Sequence, residues 1–323
     1  MKIFLTGATG FAGNHFLKRL LSDGHEVVCR IRSDSGIKTI EALGSSYWLG
    51  SLDDDVALQV LLSNCDAVIH CAAYLKFWGP EKEFEDASIG ITKSLLEDAK
   101  IAQVKRFIFI SAASVAMNER KALIDIDESQ PYCSSTELPY SRTKAIAEQL
   151  VLSAHGAHFK TIALCPPFIW GNGDAVDKQI GKASDQGQFA WFDRGQYPYA
   201  TCHVDNLSHA VSLALRAELD GSACFIADKS LLPFKEFMTQ RLRAGGYKAP
   251  KLSLPTSVAY KIAGLIEGIW KVLNLKSDPP LVREMVRLMG YPFSLATTRA
   301  KKTLGYLPMI TVQQGMKNCR ERI

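Results

Sequence analysis

Two kinds of apolar pattern alternate through the first half of the chain. Short, nearly unbroken apolar runs fall at 2–6, 26–31, 66–71, 106–111 and 159–165, with a weaker one near 46–49. Between them, at 11–22, 55–63, 86–103 and 138–155, apolar residues return every three or four positions. The first kind predicts strands and the second predicts helices. Ala67-Val68-Ile69 and Phe107-Ile108-Phe109-Ile110 lack any polar alternation, as expected of strands buried on both faces. Strand and helix in alternation imply an α/β protein with a doubly wound parallel sheet and right-handed crossovers. A ligand of such a sheet lies beyond the carboxyl ends of its strands. The loops at 7–13, 32–36, 72–80, 111–117 and 166–174 are therefore expected to converge.

After about residue 170 the pattern changes. Turn-rich segments such as Gly171-Asn172-Gly173-Asp174 alternate with isolated helices and one short strand at 223–227. The longest helical pattern covers 256–275. Val258, Ile262, Leu265, Ile266, Ile269, Trp270, Val272 and Leu273 surround a narrow face holding Lys261, Gly264, Glu267, Gly268 and Lys271. So wide an apolar stripe is expected to pack into the core. A pocket wall and a membrane contact are the lesser alternatives. The charges and glycines argue against a membrane span.

The strand Ile3-Phe4-Leu5 runs straight into glycines at 7, 10 and 13, followed by a helix pattern through Phe11, Phe16, Leu17, Leu20 and Leu21. Glycine there lets the backbone approach a pyrophosphate, which the free N–H groups of the helix start then hold. Three glycines alone are weak evidence, but in this strand–turn–helix setting they point to a dinucleotide cofactor.

Pro139-Tyr140-Ser141-Arg142-Thr143-Lys144 opens a helix pattern that puts Tyr140 and Lys144 one turn apart on one face. A phenol is a poor acid–base catalyst at neutral pH, and a neighbouring ammonium is expected to lower its pKa. Tyr247 and Lys251 repeat the spacing, but Pro250 between them disfavours a helix.

The chain has 323 residues, 47% of them hydrophobic, and a formal charge of +5. That suits one large or two modest domains with a real core. The basic residues form only local clusters, Lys301-Lys302 and Lys317 to Arg322, so no nucleic-acid footprint is expected. A core strand at the start leaves no room for a secretory signal. The eight cysteines form no C-x-x-C and show no metal-site spacing with histidine. They read as small buried hydrophobes in a reducing, cytoplasmic setting.

Gly7, Gly10 and Gly13, the Tyr140–Lys144 pair, Cys165-Pro166-Pro167 and His203-Val204-Asp205-Asn206 resemble the extended short-chain dehydrogenase/reductase superfamily, the NAD-dependent epimerase/dehydratase group. The tail Phe293-Ser294-Leu295 through Lys301, Leu304-Gly305-Tyr306 and Pro308 is similar to the 3β-hydroxysteroid dehydrogenase and dihydroflavonol reductase branch. The resemblance implies an NAD(P)-binding Rossmann domain over 1–170 and a smaller C-terminal substrate lobe over 171–323, with the 223–227 strand free to rejoin the main sheet. It implies hydride transfer at a carbinol or carbonyl carbon. Tyr140 would be the general acid–base, and Lys144 would tune it and hold the nicotinamide ribose. The expected cofactor surface also takes in Thr9, Phe11, Leu52, Ala72, Ala73 and Pro166.

The chain departs from this pattern at one point. Relatives usually carry Ser or Thr just after the fifth strand to orient the substrate oxygen, and Ala112 stands there, in Ile110-Ser111-Ala112-Ala113-Ser114. Ser114 or Ser111 would take the role, with Ser114 slightly favoured, or a water would.

The second strand ends at Ile31 without the acid that takes the adenosine ribose in NAD-preferring relatives, and Arg32 follows. Arginine offers a fork of donors suited to a 2′-phosphate, with Lys38 in support, so NADP is expected. Asp34 as a displaced ribose acceptor is the NAD alternative. Tyr74-Leu75-Lys76-Phe77-Trp78-Gly79-Pro80 brings aromatic residues to the site, and Trp191 and Phe192 add more. These favour an apolar or aromatic alcohol or ketone, in the steroid or flavonol class. His203 reads equally as a pocket residue or a structural one. The overall expectation is an NADP(H)-dependent oxidoreductase with a small-molecule substrate, no metal, no nucleic acid and no stable membrane span, with a homodimer admissible. The rivals are a nucleotide-sugar epimerase or dehydratase using NAD, and a non-catalytic NADPH sensor.

Overall fold

The computed structural model describes residues 1–52 and 55–320. Arg322, in the last basic cluster, lies outside them. Seven parallel strands form the central sheet in the order Ala223–Phe225, Lys160–Cys165, Arg106–Ile110, Ala67–His70, Lys2–Thr6, Glu26–Ile31 and Ser46–Leu49. The six strands expected in the first half all form, the weak one at 46–49 included. The seventh, Ala223–Phe225, pairs with Lys160–Cys165 at the edge.

The continuous apolar runs are buried from two sides, as their pattern requires. Phe4, Val68, Phe107 and Phe109 face one core, while Ile3, Leu5, Ala67, Ile69 and Ile108 face the other. Helix Phe11–Ser22 fills the second core with Phe16, Leu17 and Leu20. Helix Pro139–Ser153 fills the first with Ala147 and Val151. The chain order reverses between Lys2–Thr6, which pairs with both Glu26–Ile31 and Ala67–His70. Such a switch point opens a crevice at the carboxyl ends of the strands.

The helix expected at 86–103 starts earlier. Pro80, extended at φ −61° and ψ 136°, opens a turn over Glu81–Phe84, which continues as wider π-type turns over Glu85–Gly90 and then as α-helix Ile91–Ile101. A four-stranded sheet in the later part of the chain joins Leu232–Pro233, Pro198–Tyr199, Phe293–Leu295 and Leu123–Ile126. The strand at 123–126 was not evident in the sequence, because its two middle residues are exposed.

Helix Thr256–Val272 reverses the expected orientation. Thr256, Ala259, Tyr260, Ala263 and Glu267 are its buried positions, whereas Val258, Ile262, Leu265, Ile269 and Val272 are exposed. The buried stripe is built from small residues, Tyr260 and Glu267, the last two with polar partners, while Lys261, Gly268 and Lys271 stay exposed. Glu267 accepts from Arg283 N and Nε, both at 2.7 Å, and the Tyr260 hydroxyl donates to Glu137 at 2.5 Å. No helix among the described residues is long and apolar enough to cross a membrane.

Candidate active site

The Gly-rich turn is shaped by close approach. Gly7 has φ +79°, and a Cβ on it would lie 2.8 Å from Ala72 N. A Cβ on Gly13 would lie 2.1 Å from Gly7 O, so the first helix can pack this tightly on the turn only with glycine there. Gly10 N donates to Gly7 O at 3.0 Å and closes the turn. Thr9 and Gly10 are exposed, and Phe11 opens the helix half-buried. Thr6 Oγ1 accepts from Cys71 N at 3.2 Å and Ala72 N at 3.1 Å. That pins the end of Ala67–His70 beside the glycines and leaves Ala73 exposed. Leu52 is buried with its side chain in the core. Pro166 uses its carbonyl to accept from Ala113 N at 2.8 Å.

Beyond the second strand, Arg32, Asp34 and Lys38 are all exposed. Gly36 sits close enough to Thr9 that a Cβ would meet its Cγ2 at 2.7 Å. This contact holds the 32–36 loop against the glycine turn. Ile31, at the strand end, is buried.

Tyr140 and Lys144 lie on helix Pro139–Ser153, whose N1 position is a proline. Lys144 is buried. Its Nζ donates to Ile110 O at 2.7 Å and lies 4.3 Å from the Phe109 ring centroid. Lys144 thus fastens the helix to the last residue of the fifth strand. Tyr140, one turn earlier, is carried beyond the strand end, where the helix also packs on the turn Ala113–Ala116. Burial pulls the Lys144 ammonium down to about 8. The expected lowering of the Tyr140 phenol does not occur: burial first, and then the Glu284 carboxylate, raise it. Lys144 spends its charge on the Ile110 carbonyl and the Phe109 face instead.

The two candidate serines part company. Ser111 Oγ donates to Glu148, which also accepts from the Tyr132 hydroxyl at 2.9 Å and from Cys165 Sγ at 3.1 Å. Ser111 therefore belongs to a buried network behind the sheet end. Ser114, 6% exposed, has an Oγ with no hydrogen-bond partner. Buried polar groups are nearly always satisfied, so this hydroxyl is left available for a ligand atom. Ala112 is extended (φ −150°, ψ 142°) and precedes the turn that carries Ser114.

Of the expected aromatics, Phe77 meets Tyr140 edge-on at 5.6 Å, and Lys271 lies 5.7 Å from the Trp78 ring. Trp191 and Phe192 do not line the site. Trp191 is core, with its Nε1 donating to Pro250 O at 2.9 Å, and Phe192 packs on Ala259 and Val286. His203 is structural. Its Nδ1 accepts from Asp205 N at 3.2 Å to cap helix Val204–Ala214, and its ring stands 4.7 Å from that of Trp170. Asn206 Oδ1 accepts from Met309 N and Ile310 N at 2.8 and 2.9 Å, so the His203–Asn206 stretch clamps the tail. Tyr247 lies past the end of helix Phe234–Ala244, outside any helix.

Glu284 was not evident in the sequence, since 144 positions separate it from Tyr140. It is buried in helix Arg283–Met289 and accepts from Tyr140 N at 3.0 Å, Ser141 N at 2.8 Å and Ser141 Oγ at 2.7 Å. It satisfies the free N–H groups at the start of the 139–153 helix, where a carboxylate also suits the helix dipole. Among the described residues no disulfide forms and no group of three or more metal-ligating side chains exists.

This sheet, glycine turn and helix-borne Tyr–Lys pair define the extended short-chain dehydrogenase/reductase class. Residues 4–256 match the model of the 3-beta hydroxysteroid dehydrogenase/isomerase family, and the chain belongs to that family. A ketoreductase of Stigmatella aurantiaca, acting on 4-hydroxy-2-methyl-3-oxo-4-farnesyl-3,4-dihydroquinoline-1-oxide, is 33% identical over 99% of this chain and 96% of its own. A 2-alkyl-3-oxoalkanoate reductase of Stenotrophomonas maltophilia is 29% identical over 99% and 98%. The UDP-glucuronic acid 4-epimerase of Bacillus cereus, solved with UDP-glucuronic acid and NAD, shares the fold with a TM-score of 0.74 at 22% identity over 99% and 98%. The protein is an NAD(P)-dependent dehydrogenase/reductase acting on CH–OH groups, which sets aside the non-catalytic sensor.

Proposed function

We propose that the chain uses NADP(H) to interconvert a ketone and a hydroxyl on an apolar small molecule, with Tyr140 as general acid–base and Ser114 as the partner of the substrate oxygen. The observation that carries the reading is the unpartnered Ser114 hydroxyl, buried on the turn packed against Tyr140's helix. An orphaned donor there fits a carbonyl or carbinol oxygen whose charge changes during the reaction. Phe77 against Tyr140 supplies the apolar wall. Two relatives named as reductases of oxo compounds support the same class.

Gly7, Gly10 and Gly13 fit a pyrophosphate because they let the backbone close into a tight turn at the start of the first helix, which a side chain on Gly7 or Gly13 would break against Ala72 and Gly7. Arg32, exposed beside that cradle with no acid at Ile31, suits the 2′-phosphate of NADP. The nicotinamide, when bound, supplies or accepts the hydride. The protein's own residues manage the proton. In the reductive direction the Tyr140 phenol, held protonated by burial, gives its proton to the substrate oxygen while Ser114 donates to that oxygen. Lys144, still largely charged at neutral pH with a pKa of about 8, holds the Tyr140 helix against Ile110 O and is the candidate to hold the nicotinamide ribose. Glu284 fixes the start of the helix and with it the position of Tyr140.

The test is NADPH-dependent reduction of a long-chain 3-oxo ester, a steroid ketone and an aryl ketone. Tyr140→Phe should lower turnover about 10²–10⁴-fold with NADPH affinity retained. A variant keeping more than half the wild-type rate, with chemistry limiting, removes Tyr140 from the mechanism. Tightly retained NAD with UDP-sugar interconversion, and no ketone reduction, replaces the reading by the epimerase one.

A further inference from the structure

We infer that the outward face of helix Thr256–Val272 docks on an anionic lipid bilayer, lying along its surface without crossing it. The inference is independent of the ketone–hydroxyl reading, because it concerns an outer face and not the chemistry of the site.

Val258, Ile262, Leu265, Ile269 and Val272 follow one another at intervals of four and three residues, so they form one stripe along the helix. All five are exposed, Leu265 by 68% and Val272 by 85%. Exposed Leu252 and Leu254 precede the helix, and exposed Leu273 and Leu275 follow it. An exposed apolar surface of this kind marks an interaction site.

The helix cannot hide the stripe by rolling. Glu267 on its inner side accepts from Arg283 N and Nε, both at 2.7 Å, and the Tyr260 hydroxyl donates to Glu137. Turning the stripe inward would break these bonds. Lys271 Nζ lies 5.7 Å from the Trp78 ring centroid, so the helix also borders the loop whose Phe77 meets Tyr140.

Charge selects the partner. Lys251, Lys261, Lys271 and Lys276 are all exposed. Glu267 is the single acid in residues 251–277, and it is buried. The segment therefore offers apolar side chains and cations with no exposed acid among them. Lysine stems lie along apolar surface while their ammonium groups reach for phosphates. An apolar stripe edged by lysines suits the boundary between lipid headgroups and acyl chains. A second copy of the chain is the other occupant that this spacing fits. An isologous contact would set the same lysines against each other with no exposed acid of the segment to pair them, which is unfavourable.

The measurement is flotation of the full chain with vesicles of phosphatidylcholine and phosphatidylglycerol in equal parts, and with vesicles of phosphatidylcholine alone. Sedimentation equilibrium without lipid gives the oligomeric state. The wild type should float with the mixed vesicles and more weakly with the neutral ones. Lys261→Gln with Lys276→Gln should weaken binding to the mixed vesicles by about 30-fold at low salt, roughly fivefold for each lysine near an anionic surface. Leu265→Asp with Val272→Asp should abolish binding to both kinds of vesicle while the melting temperature holds, because both side chains are exposed. If that variant fails to fold, Leu265→Ser with Val272→Ser takes its place. A wild type that does not float with the mixed vesicles, or binding unchanged in either pair of variants, overturns the inference. So does a wild-type dimer that the Leu265 and Val272 substitutions split, which assigns the stripe to a second copy. No cofactor or substrate enters the assay, so either result leaves the ketone–hydroxyl reading as it was.

Discussion

Replacing Ser114 by alanine should damage catalysis and spare the fold. The Ser114 Oγ is buried at 6% exposure with no partner. Its removal takes away no protein hydrogen bond and relieves an unsatisfied donor, a burden of about 1–3 kcal/mol when fully buried. Thermal stability should therefore hold or rise slightly. Loss of one donor aimed at a developing oxyanion costs about 2.7–4 kcal/mol, or roughly 10²–10³ in rate. Ser111→Ala should do the reverse. It deprives buried Glu148 of one of three donors, so it should cost about 1–3 kcal/mol of stability, read as a lower melting temperature. Ala112→Ser should be neutral in rate if Ser114 already serves the substrate oxygen. The assay is single-turnover reduction of one ketone at saturating NADPH, followed by cofactor absorbance. NADPH deuterated at the transferred position shows that the hydride step limits. A Ser114→Ala enzyme that keeps its rate while showing a full isotope effect refutes this assignment, as does a Ser114→Ala enzyme as unstable as Ser111→Ala.

Arg32→Ala should weaken NADPH by about 10- to 150-fold through loss of one charge-assisted contact and barely change NADH, as read by cofactor fluorescence; equal losses for the two cofactors contradict the 2′-phosphate role. Burial raises the Glu284 carboxyl from 4.5 to about 7, so between those values the folded chain holds a proton that the unfolded chain has released. That contribution is complete below about pH 4.5 and is lost as pH rises through 7, on the order of 3 kcal/mol. Wild type should then lose melting temperature from pH 5 to 8 more steeply than Glu284→Gln, and parallel curves for the two proteins would falsify the linkage.

The chain's local patterns determined the scaffold. Unbroken apolar runs such as Phe107–Ile110 can be satisfied only by burial on two faces, which requires a parallel sheet between helix layers. Gly7 and Gly13 announce the turn because a side chain there would strike Ala72 and Gly7 backbone. Tyr140 and Lys144 are readable because four residues make about one helical turn, and Pro250 signals that Tyr247 lies outside a helix, as it does. Such features depend on neighbours in sequence.

What the sequence could not decide depends on neighbours in space. The choice between Ser111 and Ser114 turned on which hydroxyl meets Glu148, 37 positions away. Glu284 reaches Tyr140 across 144 positions with no local signal. Helix Thr256–Val272 reads as apolar side inward, yet it buries Ala259, Tyr260, Ala263 and Glu267, with Arg283 and Glu137 as partners of Glu267 and Tyr260, and much of the apolar stripe is exposed. Trp191 reads as a pocket aromatic and lies in the core because Pro250 O receives its indole N–H. A single chain lists which groups are polar, charged or apolar. Only the folded structure decides which of them find partners and which, like the Ser114 hydroxyl, do not.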